Sequence, residues 1–280
     1  MNMFSAKFDN NNVYIKNYGG FDLPHTLDCG QAFRWEEIEN GIWHGVAFNK
    51  YLKLEKLNDG TIVLYNITEE DFENIWRHYF DLDRDYDKII TAISKDETLK
   101  KASEYAHGIR VLNQEPWETL CSFIISQNNN IKRIKGIISR LCENFGEDMG
   151  GYYTFPTAEK IASLTLEDLS VLRSGFRAKY ILDAAKKVAS GEVELEKLKT
   201  APTNEARDEL MKITGVGPKV ADCVLLFALE HADAFPKDVW IKRAMQVLFD
   251  GELPECAKSY AGIAQQYIFL YARETKLSLD

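Results

Sequence analysis

The spacing of apolar residues changes once along this 280-residue chain, close to Thr68. Over residues 12–66, short alternating runs are separated by Asn40-Gly41 and by Asn58-Asp59-Gly60, residues that tolerate the positive φ angles of tight hairpins. After Thr68, which is followed by three acids as at a helix start, apolar residues recur at helical spacing. The sequence therefore predicts a meandering antiparallel sheet followed by helices.

Beyond Thr68 we find helical segments and no convincing strand, internal repeat or low-complexity tract. The expected fold class is α+β, with a small antiparallel-sheet N-terminal domain in front of a two-lobed all-α region. We divide the chain into units at residues 1–107, 108–203 and 204–280. The predicted helices lie near 97–106, 115–127, 130–144, 157–163, 166–173, 177–190, 204–212, 218–230, 238–249 and 257–272.

The hydrophobic content of 45% is enough to bury a core, and the five cysteines are scattered without a CxxC pair. Neither a disulfide framework nor a zinc ribbon is indicated, the histidines do not cluster, and we expect no metal and no cofactor. The N-terminal stretch has no basic segment followed by an apolar run, and no apolar run approaches the ~18 residues of a membrane span. We expect a protein of the prokaryotic cytoplasm that contacts no membrane.

The net charge of −9 by itself argues against a nucleic-acid partner, because phosphate binding is largely electrostatic. The acids are concentrated in residues 1–107, with 19 acids and 12 bases, whereas residues 108–280 carry 24 acids and 22 bases. The second region contains two basic clusters, which are either solvated helix faces or a DNA-facing surface. Their members are Lys132, Arg133, Lys135 and Arg140, and then Arg173, Arg177, Lys179, Lys186 and Lys187.

The stretch TGVGPKVADC, residues 214–223, predicts a hairpin that leads into a helix. Gly215 and Gly217 allow a sharp turn with bare N–H groups, and Pro218 suits the first helical position. A backbone concavity beside a helix N-terminus can hold one phosphate without reading a base, although an ordinary helix connection has the same glycines. Lys219 then stands in the first turn, where the exposed N–H groups disfavour a cation.

Seven stretches together resemble the helix-hairpin-helix DNA glycosylases, and within them the 8-oxoguanine DNA glycosylases of the eukaryotic type. Several motifs in the same order and spacing make this resemblance specific, and it extends over much of the chain. The stretches are GQAFRW (30–35), YFDLD (79–83), PWETLCSFIISQNNNIKRI (116–134), SGFRAKYI (174–181), LMKITGVGPKVADCVLLFAL (210–229), FPKDV (235–239) and YAGIAQQYIF (260–269).

The resemblance implies that Lys219 attacks the sugar carbon C1′ and that Asp238 assists, while Gly215, Gly217 and Val220 grip the DNA backbone. Such an attack requires a neutral amine, which the helix N-terminus favours over the ammonium form by about 0.3–1 kcal/mol. A solvent-exposed lysine and a helix N-cap aspartate are the ordinary alternatives for the first two residues. The imine formed by the lysine would also support strand scission by β-elimination.

The resemblance also implies a pocket for an extruded base, formed by Gly30, Cys223, Gln265 and Phe269. Oxidised guanine carries a hydrogen on N7, so the Gly30 carbonyl would accept a bond from the lesion and face a lone pair of the normal base. Cys223 and Phe269 would form opposite walls, and Gln265 would read the Watson–Crick edge. A turn glycine, two core side chains and a surface glutamine are the alternatives.

A third group implied by the resemblance fills the gap in the duplex and reads the orphaned cytosine. Asn128, Arg133 and Arg177 offer planar donors for that base, and Phe176 would be the wedge beside it. A polar helix start and two solvated arginines are the alternative. With the hairpin, these residues favour one DNA-facing side that includes both basic clusters. Trp240 departs from the histidine expected at its position, which puts a phosphate contact there in doubt.

The sequence thus predicts a monomeric enzyme that removes 8-oxoguanine opposite cytosine from double-stranded DNA and has an associated lyase activity. The iron–sulfur cluster of related glycosylases is not expected, because only Cys256 follows the hairpin helix. Two other functions stay open at this point. One is a monofunctional glycosylase for alkylated bases, which would use Asp238 and not need Lys219, and the other is a non-catalytic helix-hairpin-helix DNA-binding module.

Overall fold

A six-stranded antiparallel sheet forms the N-terminal part of the computed structural model, which describes residues 4–16 and 20–277. The strands are β1 (Ser5–Asp9), β2 (Asn12–Lys16), β3 (Trp35–Glu39), β4 (Ile42–Ala47), β5 (Lys50–Lys56) and β6 (Ile62–Tyr65). Their order in the sheet is β1-β2-β6-β5-β4-β3. The meander from β3 to β6 is confirmed. The prediction missed β1, and β6 returns to pair with β2 rather than ending the sheet, with Val13 opposite Leu64.

The predicted turns lie where the sequence indicated. Asn40 and Gly41 have φ angles of 46° and 82° and join β3 to β4. In the second turn Gly60 has φ 82°, and the Asp59 carboxylate accepts a 2.9 Å hydrogen bond from the backbone N–H of Thr61. Positive φ at these positions is favourable for Asn and Gly, which explains why the local sequence sets this register.

The helices account for most of the remaining chain, and most predicted segments are confirmed to within a few residues. The short helix before β3, the helix at Tyr86–Ile93 and the helix at Leu195–Leu198 were not predicted, and the segments at Asp168–Leu172 and Glu255–Tyr260 are 3-10 turns. The α-helices are α1 (Leu23–Leu27), α2 (Glu69–Asp71), α3 (Arg77–Tyr79), α4 (Tyr86–Ile93), α5 (Glu97–Tyr105), α6 (Pro116–Ser126), α7 (Ile131–Phe145), α8 (Ala158–Ala162), α9 (Arg177–Ala189), α10 (Leu195–Leu198), α11 (Thr203–Leu210), α12 (Pro218–Ala228), α13 (Val239–Leu248) and α14 (Ala261–Glu274).

Thr68 begins the first helical run as predicted, because its side chain accepts a hydrogen bond from the backbone N–H of Asp71. A wider π-helical turn, Phe72–Trp76, connects α2 to α3 and places apolar side chains on the sheet. The indole of Trp35 donates a 2.7 Å hydrogen bond to the Tyr79 hydroxyl inside this core. Burying two polar aromatics is favourable here because each satisfies the other.

The second core lies among the helices, and α6 and α12 run through its centre. Almost every residue of these two helices is buried, and the ring of Phe123 stacks on that of Phe227 at 5.4 Å. This burial explains why both segments are mostly apolar, with Glu118, Lys219 and Asp222 as their charged residues. In the described residues beyond β6, the only strand-like pairing is the bridge between Asp148 and Tyr153.

Gln31 connects the loop before β3 to the helical region. Its amide donates to the carbonyls of Thr26 and Arg110 at 2.9 and 2.7 Å and accepts from the N–H of Leu112 at 3.0 Å. A buried amide with its polar atoms satisfied fixes this loop strongly. The loop therefore has a defined position beside the helices, which matters for Gly30.

The division into three units remains a prediction, and the outer ends of the first and third units, residues 1–3 and 278–280, lie outside the described residues. Within the part of the chain that the structure describes, no helix combines the length and apolar character needed to cross a membrane.

Candidate active site

The hairpin between α11 and α12 turns at Gly215 alone. Gly215 has φ 82°, and a Cβ there would lie 2.4 Å from the ring of Tyr180, so both conformation and space require glycine. Gly217 differs from the prediction: its φ is −104°, and a Cβ would meet open space. It is not needed for the turn, and its missing side chain instead leaves the start of α12 uncovered.

The N-terminus of α12 has backbone donors without a side-chain cap. The N-cap residue is Gly217, which has no side chain to accept a hydrogen bond from these donors. Val220, two residues after the first helical residue, is buried. Any contact of Val220 with a phosphate would therefore use its backbone N–H. The Thr214 N–H is already occupied by the Asp183 carboxylate at 2.7 Å, which anchors the hairpin to α9.

Lys219 lies in the first turn of α12 and is partly buried, so it is not the fully exposed lysine of the ordinary alternative. Its Nζ atom is 5.1 Å from the centroid of the Phe123 ring, which α6 supplies. Cys223 is buried one helical turn further along. Burial raises the pKa of the Cys223 thiol to about 11, and the neighbouring Lys219 ammonium opposes this rise. The Cys223 thiol is therefore an uncharged group beside the Lys219 amine.

Asp238 caps α13, since its carboxylate accepts a 2.8 Å hydrogen bond from the N–H of Ile241. Burial raises the pKa of Asp238, while the bond from Ile241 and the charge of Lys219 pull it down. The cap expected for an ordinary aspartate is therefore present. The same carboxylate also lies close enough to Lys219 for their charges to interact.

An inner cavity of about 60 Å³ brings together the lysine, the aspartate and all four residues predicted for the base pocket. Six of its lining residues also line a groove of about 970 Å³, so the cavity is the floor of a much larger opening. Phe269 stands where the two meet. The predicted catalytic and pocket residues in this cavity are Lys219, Asp238, Gly30, Cys223, Gln265 and Phe269.

Gln265 and Gly30 are the two candidate base-reading groups. Gln265 is only 3% exposed, which excludes the surface glutamine considered above, and its Nε2 donates to the Pro236 carbonyl at 3.1 Å. Gly30 has φ 98°, a conformation that an L-residue rarely adopts. The loop therefore requires glycine here for its backbone conformation, beside any role of the carbonyl.

The residues predicted for the gap lie at the ends of α7 and α9. Arg177 is 2% exposed, not solvated, and its guanidinium donates to the carbonyls of Gln127, Asn128 and Ser174. Burial lowers the pKa of Arg177, and the charge of Arg133 lowers it further. The two arginines therefore lie close enough for their charges to interact, with Arg177 held by three carbonyls and Arg133 exposed.

Asn128 and Phe176 are exposed at this end of the helices. Asn128 has φ 47° and lines the large groove, whereas Phe176 precedes α9 with 47% of its surface exposed. The Arg177 guanidinium lies 4.4 Å from the centroid of the Phe176 ring. Exposure of a large apolar ring to water is unfavourable, even when a cation packs against one face. Such exposed rings are typical of contact surfaces.

Three members of the two basic clusters are engaged within the protein, and the DNA-facing side expected of the other members stays a prediction. Lys135 donates to Asp28 and to the Trp35 carbonyl, and Arg140 donates twice to the Leu172 carbonyl. Lys187 pairs with Asp183 and the Lys212 carbonyl. These three cations hold helices and loops together. The sequence could not show these contacts, because the long-range partners lie 25 to 107 residues away along the chain.

Sequence reasoning missed three residues near the cavity: Phe123, Gln266 and Arg273. Phe123 lies in an apolar run and looks like ordinary core, and Gln266 follows Gln265 without any signal of its own. Arg273 donates a 3.0 Å hydrogen bond from Nη1 to the Cys29 carbonyl. Among the described residues, no group of three or more His, Cys, Asp or Glu side chains could hold a metal ion.

Known protein families and relatives match most of this chain. Residues 13–120 match the family described as 8-oxoguanine DNA glycosylase, N-terminal domain, and residues 121–253 match the HhH-GPD superfamily of base excision DNA repair proteins. The N-glycosylase/DNA lyase of Saccharomyces cerevisiae is 36% identical over 258 residues, which is 79% of this chain and 66% of the yeast protein. This chain thus spans about two thirds of that relative.

Two solved structures resemble the whole chain. MBOgg1 in complex with a low-affinity DNA ligand is 44% identical, with a TM-score of 0.90 over 98% of this chain and 99% of its own. The 8-oxoguanine glycosylase/lyase of Clostridium acetobutylicum, bound to dsDNA with cytosine opposite 8-oxoG, is 41% identical, with a TM-score of 0.90 over 99% of this chain and 100% of its own. The chain belongs to the 8-oxoguanine DNA glycosylase/lyase family of the helix-hairpin-helix superfamily.

Proposed function

We propose that this chain removes 8-oxoguanine from double-stranded DNA, with preference for cytosine opposite the lesion, and then cleaves the abasic strand. The observation that carries the proposal is the single cavity in which Lys219, Asp238, Gly30 and Gln265 meet. An amine, a carboxylate and two groups able to read a purine are the set that such a reaction needs.

In the proposed reaction, the neutral Nζ of Lys219 attacks C1′ as the N-glycosidic bond breaks. The bonding electrons leave with the base, which takes up a proton from water. One of the two amine protons then passes to the ring oxygen O4′ as the C1′–O4′ bond breaks, and the nitrogen lone pair completes a protonated imine. Asp238 stabilises the positive charge that develops on the sugar. The partly buried position of the carboxylate beside Lys219 supports this role, since charge interactions strengthen where water is excluded.

Strand cleavage follows from the same imine. The protonated C=N bond acidifies the C2′ hydrogen, a base removes that proton, and the C3′–O bond breaks with the phosphate as leaving group. Water then hydrolyses the unsaturated imine and regenerates Lys219. One lysine therefore accounts for both the glycosylase and the lyase activity.

Lesion selectivity is proposed to depend on the carbonyl of Gly30. An N7–H group of 8-oxoguanine donates to that oxygen, whereas N7 of guanine carries a lone pair and would repel it. Guanine would leave a buried acceptor without a partner, at a cost of about 1–3 kcal/mol. Gln265 would bind the Watson–Crick edge of the extruded base, and Cys223 and Phe269 would pack on its faces.

Recognition of the orphaned cytosine is assigned to Arg133 and Arg177, with Asn128 filling the gap and Phe176 as the wedge. Cytosine offers O2 and N3 as acceptors, and guanidinium groups are donors only. The exposed Arg133 would bind the base directly, whereas Arg177 would have to exchange one of its carbonyl partners for the base. The hairpin at Gly215, Gly217 and Val220 is proposed to bind one backbone phosphate through the N–H groups at the start of α12.

We further propose that the enzyme acts as a monomer in the prokaryotic cytoplasm. All the groups assigned above come from one chain, and all five cysteines are unpaired, as in a reducing compartment. Light scattering on a sizing column, with and without lesion duplex, tests the first part. A mass of one chain per duplex is expected.

The central experiment is borohydride trapping with duplexes that carry 8-oxoguanine opposite each of the four bases. We expect a covalent protein–DNA adduct with 8-oxoguanine opposite cytosine and none with Lys219→Gln, which still binds the duplex. Base release without any adduct would instead support a monofunctional enzyme. Unchanged behaviour of Lys219→Gln together with no base release would leave only a DNA-binding module.

A further inference from the structure

Helix α14 holds both candidate base-reading groups through two side chains other than the base-reading groups themselves. Gln265 belongs to α14 itself, and Gly30 lies in the loop before β3, which α14 contacts through Gln266 and Arg273. We propose that Gln266 and Arg273 are positioning residues for lesion recognition: the first orients the Gln265 amide and the second orients the Cys29–Gly30 backbone. This inference rests on the function proposed above.

Gln266 controls the orientation of its neighbour's amide. It is 3% exposed, and its Nε2 donates to Gln265 Oε1 at 2.6 Å, while Gln265 Nε2 donates to the Pro236 carbonyl at 3.1 Å. An amide can rotate by half a turn and exchange its oxygen and nitrogen. With a donor on one side and an acceptor on the other, only one of the two orientations satisfies both neighbours.

The orientation of Gln265 matters because a purine edge of the guanine type is asymmetric. It offers the donors N1–H and N2–H together with the acceptor O6. An amide rotated by half a turn would place donor against donor. Fixing the amide before the base arrives therefore favours binding of the correct edge and avoids the cost of reorienting a buried polar group.

Arg273 acts on the other reader. Its Nη1 donates to the Cys29 carbonyl at 3.0 Å, and its guanidinium lies 5.3 Å from the centroid of the Phe269 ring. The Cys29 carbonyl belongs to the peptide group that precedes Gly30, so this hydrogen bond fixes the orientation of that peptide group. The positive φ of Gly30 then helps to set the orientation of the next peptide group, which carries the Gly30 carbonyl. Arg273 thereby sets where the Gly30 carbonyl points.

Cys29 connects the two halves of the arrangement. Its thiol can donate to Gln266 Oε1 at 3.7 Å or to the Thr26 carbonyl at 3.8 Å. Burial raises the pKa of this thiol to about 11, so it stays a neutral donor. The loop and the helix, 237 residues apart in sequence, are thus linked at both the carbonyl and the thiol of one residue.

The test uses Lys219→Gln as the parent, so that binding is measured without turnover. Dissociation constants are measured for three duplexes with 8-oxoguanine, guanine or a tetrahydrofuran abasic analogue opposite cytosine. In this background, Gln266→Leu and Arg273→Met are each expected to weaken binding of the 8-oxoguanine duplex about tenfold, the loss of one or two buried hydrogen bonds. Binding of the abasic duplex should change less than about twofold, because it offers no base to read.

Lys242→Met is the matched control for lost charge, since Lys242 is an exposed cation of α13 that lines the same groove. Its loss should weaken binding of all three duplexes by a similar factor. Arg273→Lys and Gln266→Glu serve if the larger changes unfold the protein. The lysine keeps one donor for the Cys29 carbonyl and should recover part of the preference, whereas Gln266→Glu removes the donor and should lose it.

Equal weakening of the 8-oxoguanine and abasic duplexes would overturn the inference, as would variants with unchanged binding of both. A parent that does not distinguish 8-oxoguanine from guanine at all would instead refute the function proposed for the site. The two failures are therefore distinguishable within one set of measurements.

Discussion

At the scale of single residues, the site combines structural and chemical roles in the same side chain. Asp238 caps α13 and faces Lys219, and Arg177 holds the Gln127 and Asn128 carbonyls while it converges with Arg133. Loss of such a residue changes stability and chemistry together. Substitutions that separate the two effects are therefore the informative ones.

Asp238→Asn and Asp238→Ala separate the cap from the charge. Asparagine caps a helix as well as aspartate does, so we expect an unchanged melting temperature and a base-release rate lowered roughly a hundredfold or more. Alanine should lose the same rate and also about 1 kcal/mol of stability. Single-turnover kinetics and thermal unfolding measure the two effects. A wild-type rate of base release in Asp238→Asn would show that Asp238 serves only as a helix cap.

Phe176→Ala tests the wedge. With 47% of the residue exposed, its removal should leave the melting temperature within about a degree, since exposed positions contribute little to stability. We expect single-turnover release of 8-oxoguanine to slow about tenfold, because less apolar surface supports the unstacked duplex. Ile38→Ala, at a similarly exposed position on β3, is the control and should change neither quantity. An unaffected rate in Phe176→Ala would contradict the wedge.

At the scale of elements, the hairpin before α12 has two glycines with different reasons for being glycine. Gly215 is required by its φ and by the Tyr180 ring, whereas Gly217 has an ordinary φ and open space beyond its hydrogen. The first therefore builds the turn. The second is not required by backbone strain or by a close contact, which fits the proposal that it keeps the helix N-terminus accessible to a phosphate.

Gly215→Ala should consequently lower the stability of the protein, whereas Gly217→Ala should lower its affinity for DNA. For Gly215→Ala we expect a loss of about 2 kcal/mol or more, from the left-handed backbone and the contact with Tyr180, seen as a lower melting temperature. Gly217→Ala should keep the melting temperature and weaken binding of undamaged duplex several-fold, as measured by anisotropy, because the added methyl group would occupy open space beside the proposed phosphate site. Equal melting temperatures for the two variants would disprove this distinction.

At the scale of the whole molecule, an ion pair joins the sheet to the helical core. Arg34, in the loop before β3, contacts Glu118 of α6 at 3.3 Å. Burial raises the pKa of Glu118 to about 7, and the charge of Arg34 only partly opposes it. Because the ordinary glutamate pKa is about 4.3, the folded protein binds this proton more tightly than the unfolded chain does.

The protonated Glu118 therefore contributes stability that is fully present below about pH 4.3 and is lost as the pH rises through about 7. The effect of this one group is at most about 4 kcal/mol. We expect Glu118→Gln to unfold at nearly the wild-type temperature at about pH 5 and at a higher temperature at about pH 8. Parallel melting profiles of the two proteins across this range would show that Glu118 does not titrate as described.

Sequence by itself determined the features that depend on a few neighbouring residues. The turn at Asn40-Gly41, the cap at Thr68 and the position of Lys219 in the first turn of α12 follow from local backbone preferences and apolar spacing, and all are confirmed. The resemblance of several motifs indicated the family. These signals are local, because φ preferences and hydrogen bonds of caps act within about one turn.

Only the tertiary structure decided which distant residues meet. It paired β6 with β2, engaged Lys135 and Arg140 inside the protein, and brought Gln266 and Arg273 to the loop of Gly30. A glutamine or an arginine on a helix gives no local sign of such a partner. Its partner is chosen by packing of two cores and by the requirement that buried polar groups be hydrogen-bonded, conditions that arise only once the whole chain has folded.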